Sequence, residues 1–214
     1  LAHELGHAIH QYLSREVGYL GGDTPLTTSE TASVFAEMLV CDAIKEGLSD
    51  KERLTLLAGK IEDIFATLYR QINFTTFERR VHAHEGELSL EYYNRYCMEE
   101  RKKMFGESVK LGKQYEIWWS YIPHFIHSPF YCYAYSYGQL LVLALYGLYK
   151  RGTCKNFVEL YIKFLSSGGS KSPAELIRVF GFDIDDEAFW KIGLEEVERL
   201  VNEFKGLADD SRLS

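Results

Sequence analysis

Leu1-Ala2-His3-Glu4-Leu5-Gly6-His7-Ala8-Ile9-His10 opens the chain, and the stretch runs on without a proline to Val17. It reads as a helix closed by Gly18, Gly21 and Gly22. Within it, His3-Glu4-Leu5-Gly6-His7 is an HExxH pattern. Residues four apart lie one above the other on a helix, so both imidazoles can reach one metal ion. Glu4 lies beside them, where a carboxylate can take a proton from water. That is the arrangement metal-assisted hydrolysis needs. A motif this short arises by chance in roughly two of a hundred shuffled chains of this composition. Its weight therefore depends on the helical setting and on a third ligand.

Glu30 supplies that ligand. It opens the next predicted helix, 23 residues after His7, across a Gly21–Thr28 loop that can turn the chain back. Two histidines and one glutamate would hold one zinc ion per chain and leave its fourth position open for water. The alternative is that Glu30 is only an acid favoured by a helix N-terminus. Glu37 lies one heptad beyond Glu30, on the same face, where it can accept a hydrogen bond from a ligand imidazole. Asp23 could do the same. For each, the alternative is a cap or a solvated acid. His10 shares the face of His3 and His7 and is expected to line or stabilise the site.

Working outward, the pattern stays helical. A second helix is predicted from near Thr28 or Ser29, and a long one from Lys51 to about His82 with room for a bend. Others follow over Ser89–Phe105, Tyr131–Lys150 and Asn156–Leu165, then a short one from Ser172-Pro173. Residues 116–129 read as aromatic and irregular, and Ser166–Ser170 as a loop. Asp185 or Asp186 caps a last helix, with a polar tail from Ala208. No strand or repeat is visible, so the fold class is all-α. With 214 residues, four prolines and no Ser/Pro-rich linker, the chain reads as one domain, 1–214.

Composition removes several function classes. A net charge of -7 argues against a nucleic-acid partner. The longest apolar run, near Leu140 to Tyr149, is too short to span a bilayer, and no signal-peptide pattern appears. Cys41, Cys97, Cys132 and Cys154 lie far apart without a CxxC pair. They are expected to be free, mostly buried thiols in a reducing cytoplasm, not a zinc site. The chain opens at Leu1 with the motif at its third residue. The expectation is a C-terminal part of a longer protein.

A second unusual stretch is Ile122-Pro123-His124-Phe125-Ile126-His127, followed by Tyr131, Tyr133, Tyr135 and Tyr137 in alternation. Tyrosines in an apolar cleft could donate hydrogen bonds to an oxyanion or to peptide carbonyls. The alternative is an aromatic core. On a helix Tyr131 and Tyr135 share one face, and Tyr133 and Tyr137 another. Gly168-Gly169 is either a mobile loop near substrate or a simple join. His82 and His84 read as surface residues.

In combination these segments resemble the thimet oligopeptidase and oligoendopeptidase F family, nearer its oligoendopeptidase F branch. The resemblance rests on His3 to Ala8, Asp23-Thr24-Pro25-Leu26, Glu30 to Met38, Ile122 to Phe125, Pro129 to Gly138 and Ser167-Gly168-Gly169-Ser170. Phe189-Trp190 with Gly193-Leu194 also fits. It implies a helical zincin-type catalytic region within a larger, channel-bearing peptidase that admits short unfolded peptides. It implies zinc on His3, His7 and Glu30, with Glu4 as general base. It assigns oxyanion or substrate contacts to a histidine and tyrosines, which map to His124, Tyr131 and Tyr135. An extra residue in the spacing leaves His127 a rival to His124, and Tyr137 a further donor. Family members are much longer, and their N-terminal half would be the missing partner wall of the channel. The expected reaction is hydrolysis of internal bonds in short peptides. The alternatives are a non-catalytic helical zinc- or peptide-binding module and an HExxH exopeptidase.

Overall fold

Polar caps and glycines punctuate the apolar stretches of this sequence at helical intervals, and the chain folds accordingly. A computed structural model describes residues 1–213, with side chains through Asp209. All regular elements among the described residues are helical. They are α1 (Ala2–Ser14), α2 (Leu26–Ser29), α3 (Thr31–Lys45), α4 (Asp50–Thr67), α5 (Tyr69–His82) and α6 (Leu90–Phe105). Then come α7 (His124–His127), α8 (Tyr133–Arg151), α9 (Phe157–Ser166), α10 (Pro173–Arg178) and α11 (Glu187–Leu213). Short 3-10 turns follow α1, and a longer 3-10 helix covers Lys113–Tyr121. Among the described residues no helix is long and apolar enough to cross a membrane. The four cysteines are free thiols, Cys97 and Cys132 buried, Cys41 and Cys154 half-buried.

The helices gather into two compact units, Leu1–Ile64 with Tyr137–Ser214, and Phe65–Ser136. In the first, α1 packs along α3 and against α9. The buried stripe of α1 is Gly6, His10 and Ser14, small and polar at helical spacing. The apolar core lies around Phe35 of α3, whose ring meets Tyr161 at 4.6 Å and Tyr146 at 5.5 Å. Met38, Leu141, Leu145, Phe164 and Phe189 are almost fully buried with it. Ser172 and Glu175 cap α10 reciprocally, with Pro173 in the first turn.

In the second unit, Phe74, Ile122 and Cys132 form a core with Phe125 against it. Arg80 of α5 reaches Glu99 and Glu100 of α6, each at 2.7 Å. The expected bend in the long helix is a break at Leu68 between α4 and α5. Neither glycine nor proline causes it. The Ser136 hydroxyl donates to the Leu68 carbonyl at 2.9 Å and the Thr67 carbonyl at 3.3 Å. A side chain inserted into the backbone ladder is a known source of kinks.

Two expectations need correcting. The polar tail from Ala208 is helical: α11 continues to Leu213. Ala208 to Leu213 contains no glycine or proline to stop a helix. Residues 116–129 are also less irregular than their composition suggests, taking up a 3-10 helix and α7.

Candidate metal centre

Glu30 sits where the second predicted helix divides. A single turn, α2, ends at Ser29, and α3 begins at Thr31. Glu30 lies between them with φ -83° and ψ 1°, and its carbonyl accepts the Val34 N–H at 3.1 Å. Its carboxylate therefore stands at the N-terminus of α3, where the helix dipole favours negative charge. The Ser33 hydroxyl, fully buried, donates to Glu30 Oε2 at 2.6 Å and fixes its direction.

The α1 helix can reach this carboxylate because residue 6 is glycine. A Cβ there would lie 2.5 Å from Ser33 Cα and 2.6 Å from the Ala32 carbonyl oxygen. The two backbones thus nearly touch at the point that sets His3 and His7 over Glu30. His3 Nε2 and His7 Nε2 are 3.1 Å apart, and each is 3.4 Å from Glu30 Oε2. Three potential ligand atoms this close together could hold one cation. Tetrahedral zinc with bonds of about 2.0–2.1 Å has ligand-to-ligand edges of about 3.3–3.4 Å. The triangle fits one face of that tetrahedron, and the N,N,O set suits zinc. Among the described residues no other group of His, Cys, Asp or Glu is so placed. The three side chains are about one-third exposed, so the centre faces solvent.

Glu37 Oε1 lies 2.7 Å from His3 Nδ1; with the proton on Nδ1, that nitrogen donates to Glu37 and Nε2 is left free to ligate. Lys60 of α4 donates to Glu37 Oε2 at 2.8 Å. Burial opposes the charged form of Glu37. Hydrogen bonding and charge from Lys60, then His3, outweigh it and hold the carboxyl below its ordinary value. His10 is buried one turn beyond His7, and burial pushes its pKa down. Glu4 is exposed on α1 beside His3. Asp23 is exposed on the loop, where its carbonyl would meet a Cβ on Gly169 at 2.0 Å. Gly168 and Gly169 thus serve a close backbone approach to the Gly21–Asp23 loop, and Gly169 N–H donates to the Gly21 carbonyl at 2.8 Å.

The aromatic segment divides by face. His124, Tyr131 and Tyr135 meet in the second unit, with ring centroids 5.5–5.9 Å apart. His124 Nε2 and the Tyr135 hydroxyl are 3.3 Å apart. His127 and Tyr133 are exposed. Tyr137, in the first unit, packs edge-on against Trp190 at 5.0 Å. His84 pairs with the Tyr96 hydroxyl at 3.0 Å, and His82 is exposed. Sequence reasoning missed Ser33 and Lys60. Ser33 had a usable signal, its i+3 spacing from Glu30. Lys60 had none, because its partner lies on another helix.

The model of Peptidase family M3 matches residues 1–196. The chain is 34% identical to oligopeptidase PepF of Bacillus subtilis, over 96% of this chain and 32% of that protein. It is 30% identical to an oligoendopeptidase F homolog of Lactococcus lactis, over 98% of this chain and 35% of that protein. The crystal structure of oligoendopeptidase-F from Enterococcus faecium superposes with a TM-score of 0.84 at 25% identity. That match covers 98% of this chain and 38% of the other. The chain thus spans about a third of the length of the curated relatives it matches.

Proposed function

Since the chain belongs to Peptidase family M3, a family of metallopeptidases, we propose that it carries the metal centre of an endopeptidase acting on short peptides. The observation that carries this reading is the convergence of His3, His7 and Glu30 at 3.1–3.4 Å, with Glu4 beside them on α1. Bound zinc would supply Lewis acidity, acidifying water and polarising a carbonyl. Glu4 takes the proton of the attacking water and passes it to the leaving amine. Glu37 holds His3 in its ligating tautomer, and Lys60 holds Glu37. The family resemblance assigns the oxyanion contacts to His124, Tyr131 and Tyr135 of the second unit. Their mutual contact, and the exposure of His127, favour His124 over its rival.

The test is metal content together with cleavage of an internally quenched, end-blocked peptide, with and without chelator. One zinc per chain and chelator-sensitive cleavage are expected. Cleavage of free-ended peptides alone would indicate an exopeptidase. Zinc without any cleavage would indicate a binding module, and failure to take up zinc would remove the reading altogether.

A further inference from the structure

Within the second unit, α5 grips the segment that carries His124 and Tyr131 near both of its ends. Next to His124, the Phe125 ring packs against Phe74 and Phe77 of α5, with centroids 5.9 and 5.2 Å apart. Next to Tyr131, Phe130 is held by Glu78 and His82, which stand four residues apart on one face of α5. The Phe130 N–H donates to Glu78 Oε1 at 2.8 Å, and the Phe130 and His82 rings lie 4.7 Å apart. Phe130 has φ 58°, a left-handed conformation that bulky residues seldom adopt. Such a conformation persists only where its surroundings enforce it. Glu78 is 2% exposed, and its Oε2 has no hydrogen-bond partner among the described residues. A carboxylate buried in this way is costly, and the bond that it does make goes to the left-handed residue.

Tyr131 follows Phe130 directly, so the turn at Phe130 sets where the Tyr131 side chain leaves the backbone. The Tyr131 ring stacks on that of His124, 12° from parallel with centroids 5.9 Å apart, and meets Tyr135 edge-on at 5.5 Å. Relaxation of residue 130 to a negative φ would redirect the backbone and part these rings. We propose that Glu78 is a positioning residue: its carboxylate holds Phe130 in the left-handed turn that stacks Tyr131 on His124. Its effect on turnover rests on the oxyanion contacts proposed above; its effect on the two rings does not. A misdirected Tyr131 would be missed in the transition state more than in substrate binding, so the loss belongs to kcat and not to KM.

Proton–carbon NMR of the histidine-labelled chain tests the placement, because the His124 ring signal depends on the aromatic rings around it; His124→Gln assigns that signal. Glu78→Ala should shift it. Glu78→Gln, whose amide oxygen can still accept from Phe130, should return it to the wild-type position, which a loss of stability alone would not explain. An unmoved signal in Glu78→Ala, or one moved as far in Glu78→Gln, would overturn the proposal. Should Glu78→Ala fail to fold, Phe130→Pro removes the same hydrogen bond from the donor side. Phe130 is 45% exposed, and proline has neither the N–H nor access to positive φ. The His124 signal should then shift, and an unmoved one would overturn the proposal equally. In the end-blocked peptide assay, Glu78→Ala should lower kcat about 10–100-fold with KM within about twofold. A displaced His124 signal at unchanged kcat would uphold Glu78 as the residue that places the rings, and would remove His124 and Tyr131 as oxyanion contacts.

Discussion

At the scale of single residues, the proposed centre rests on a chain of contacts running outward from His3. Glu37 Oε1 lies 2.7 Å from His3 Nδ1, where it would fix the tautomer of that imidazole, and Lys60 holds Glu37. Partners of this kind typically contribute about 10–100-fold in metal affinity. Glu37→Gln should therefore weaken zinc binding about 10–100-fold at unchanged helix content, as read by competition with a chelating dye; unchanged affinity would show that His3 needs no such partner. Glu4 should behave oppositely. It is exposed and outside the triangle, so Glu4→Gln should keep zinc and lose turnover by about 100-fold or more. Retained turnover would remove Glu4 as the base. The residues legible in the sequence were those tied to a local period. His3 and His7 share a helix face, and Glu37 follows Glu30 by a heptad. Lys60 was invisible because pairing across helices leaves no periodic trace.

At the scale of elements, the decisive feature is the contact between α1 and α3. The buried stripe of α1 is small and polar, so what holds these helices at their spacing is backbone proximity more than apolar bulk. A methyl group at residue 6 would collide with the backbone of Ala32 and Ser33, neither of which can swing away. Gly6→Ala should destabilise the chain by about 1–3 kcal/mol, the usual cost of overpacking, and should also weaken zinc binding by moving His3 and His7 off Glu30. Chemical denaturation and metal titration of the same variant check both; a stable variant with reduced zinc affinity would show that α1 yields as a rigid rod. Most helices and their order were legible from apolar periodicity and caps, and so was room for a bend in the long helix. Where the breaks fall was not. Glu30 interrupts α2 and α3 to place its carboxylate, and Ser136 interrupts α4 and α5 through a distant hydroxyl. Both are consequences of tertiary contact, which local pattern does not encode.

At the scale of the whole molecule, stability in acid is governed by a few carboxylates that lose their partners' attraction on protonation. Asp42 of α3 lies between Lys45, Lys150 and the Tyr146 hydroxyl, in a network that continues through Glu203 to Arg53 and Arg199. Burial opposes its charge, but Lys150, Tyr146 and Lys45 together hold its carboxyl far below the ordinary 3.8. Glu100 in the second unit is held below its ordinary value in the same way, burial being outweighed by Lys103 and Arg80. A group depressed in the folded state binds fewer protons there than in the unfolded chain. Its stabilisation is therefore complete above the unfolded value and is lost as pH falls below it toward the folded one. Unfolding free energy should thus decline steadily from about pH 4 downward. Asp42→Asn should be less stable than wild type at neutral pH and should lose less stability on acidification, so that the two curves converge at low pH. Urea titrations over that range check it. Parallel curves would mean that Asp42 does not govern the acid response, and would leave that role to Glu100 and the other paired carboxylates.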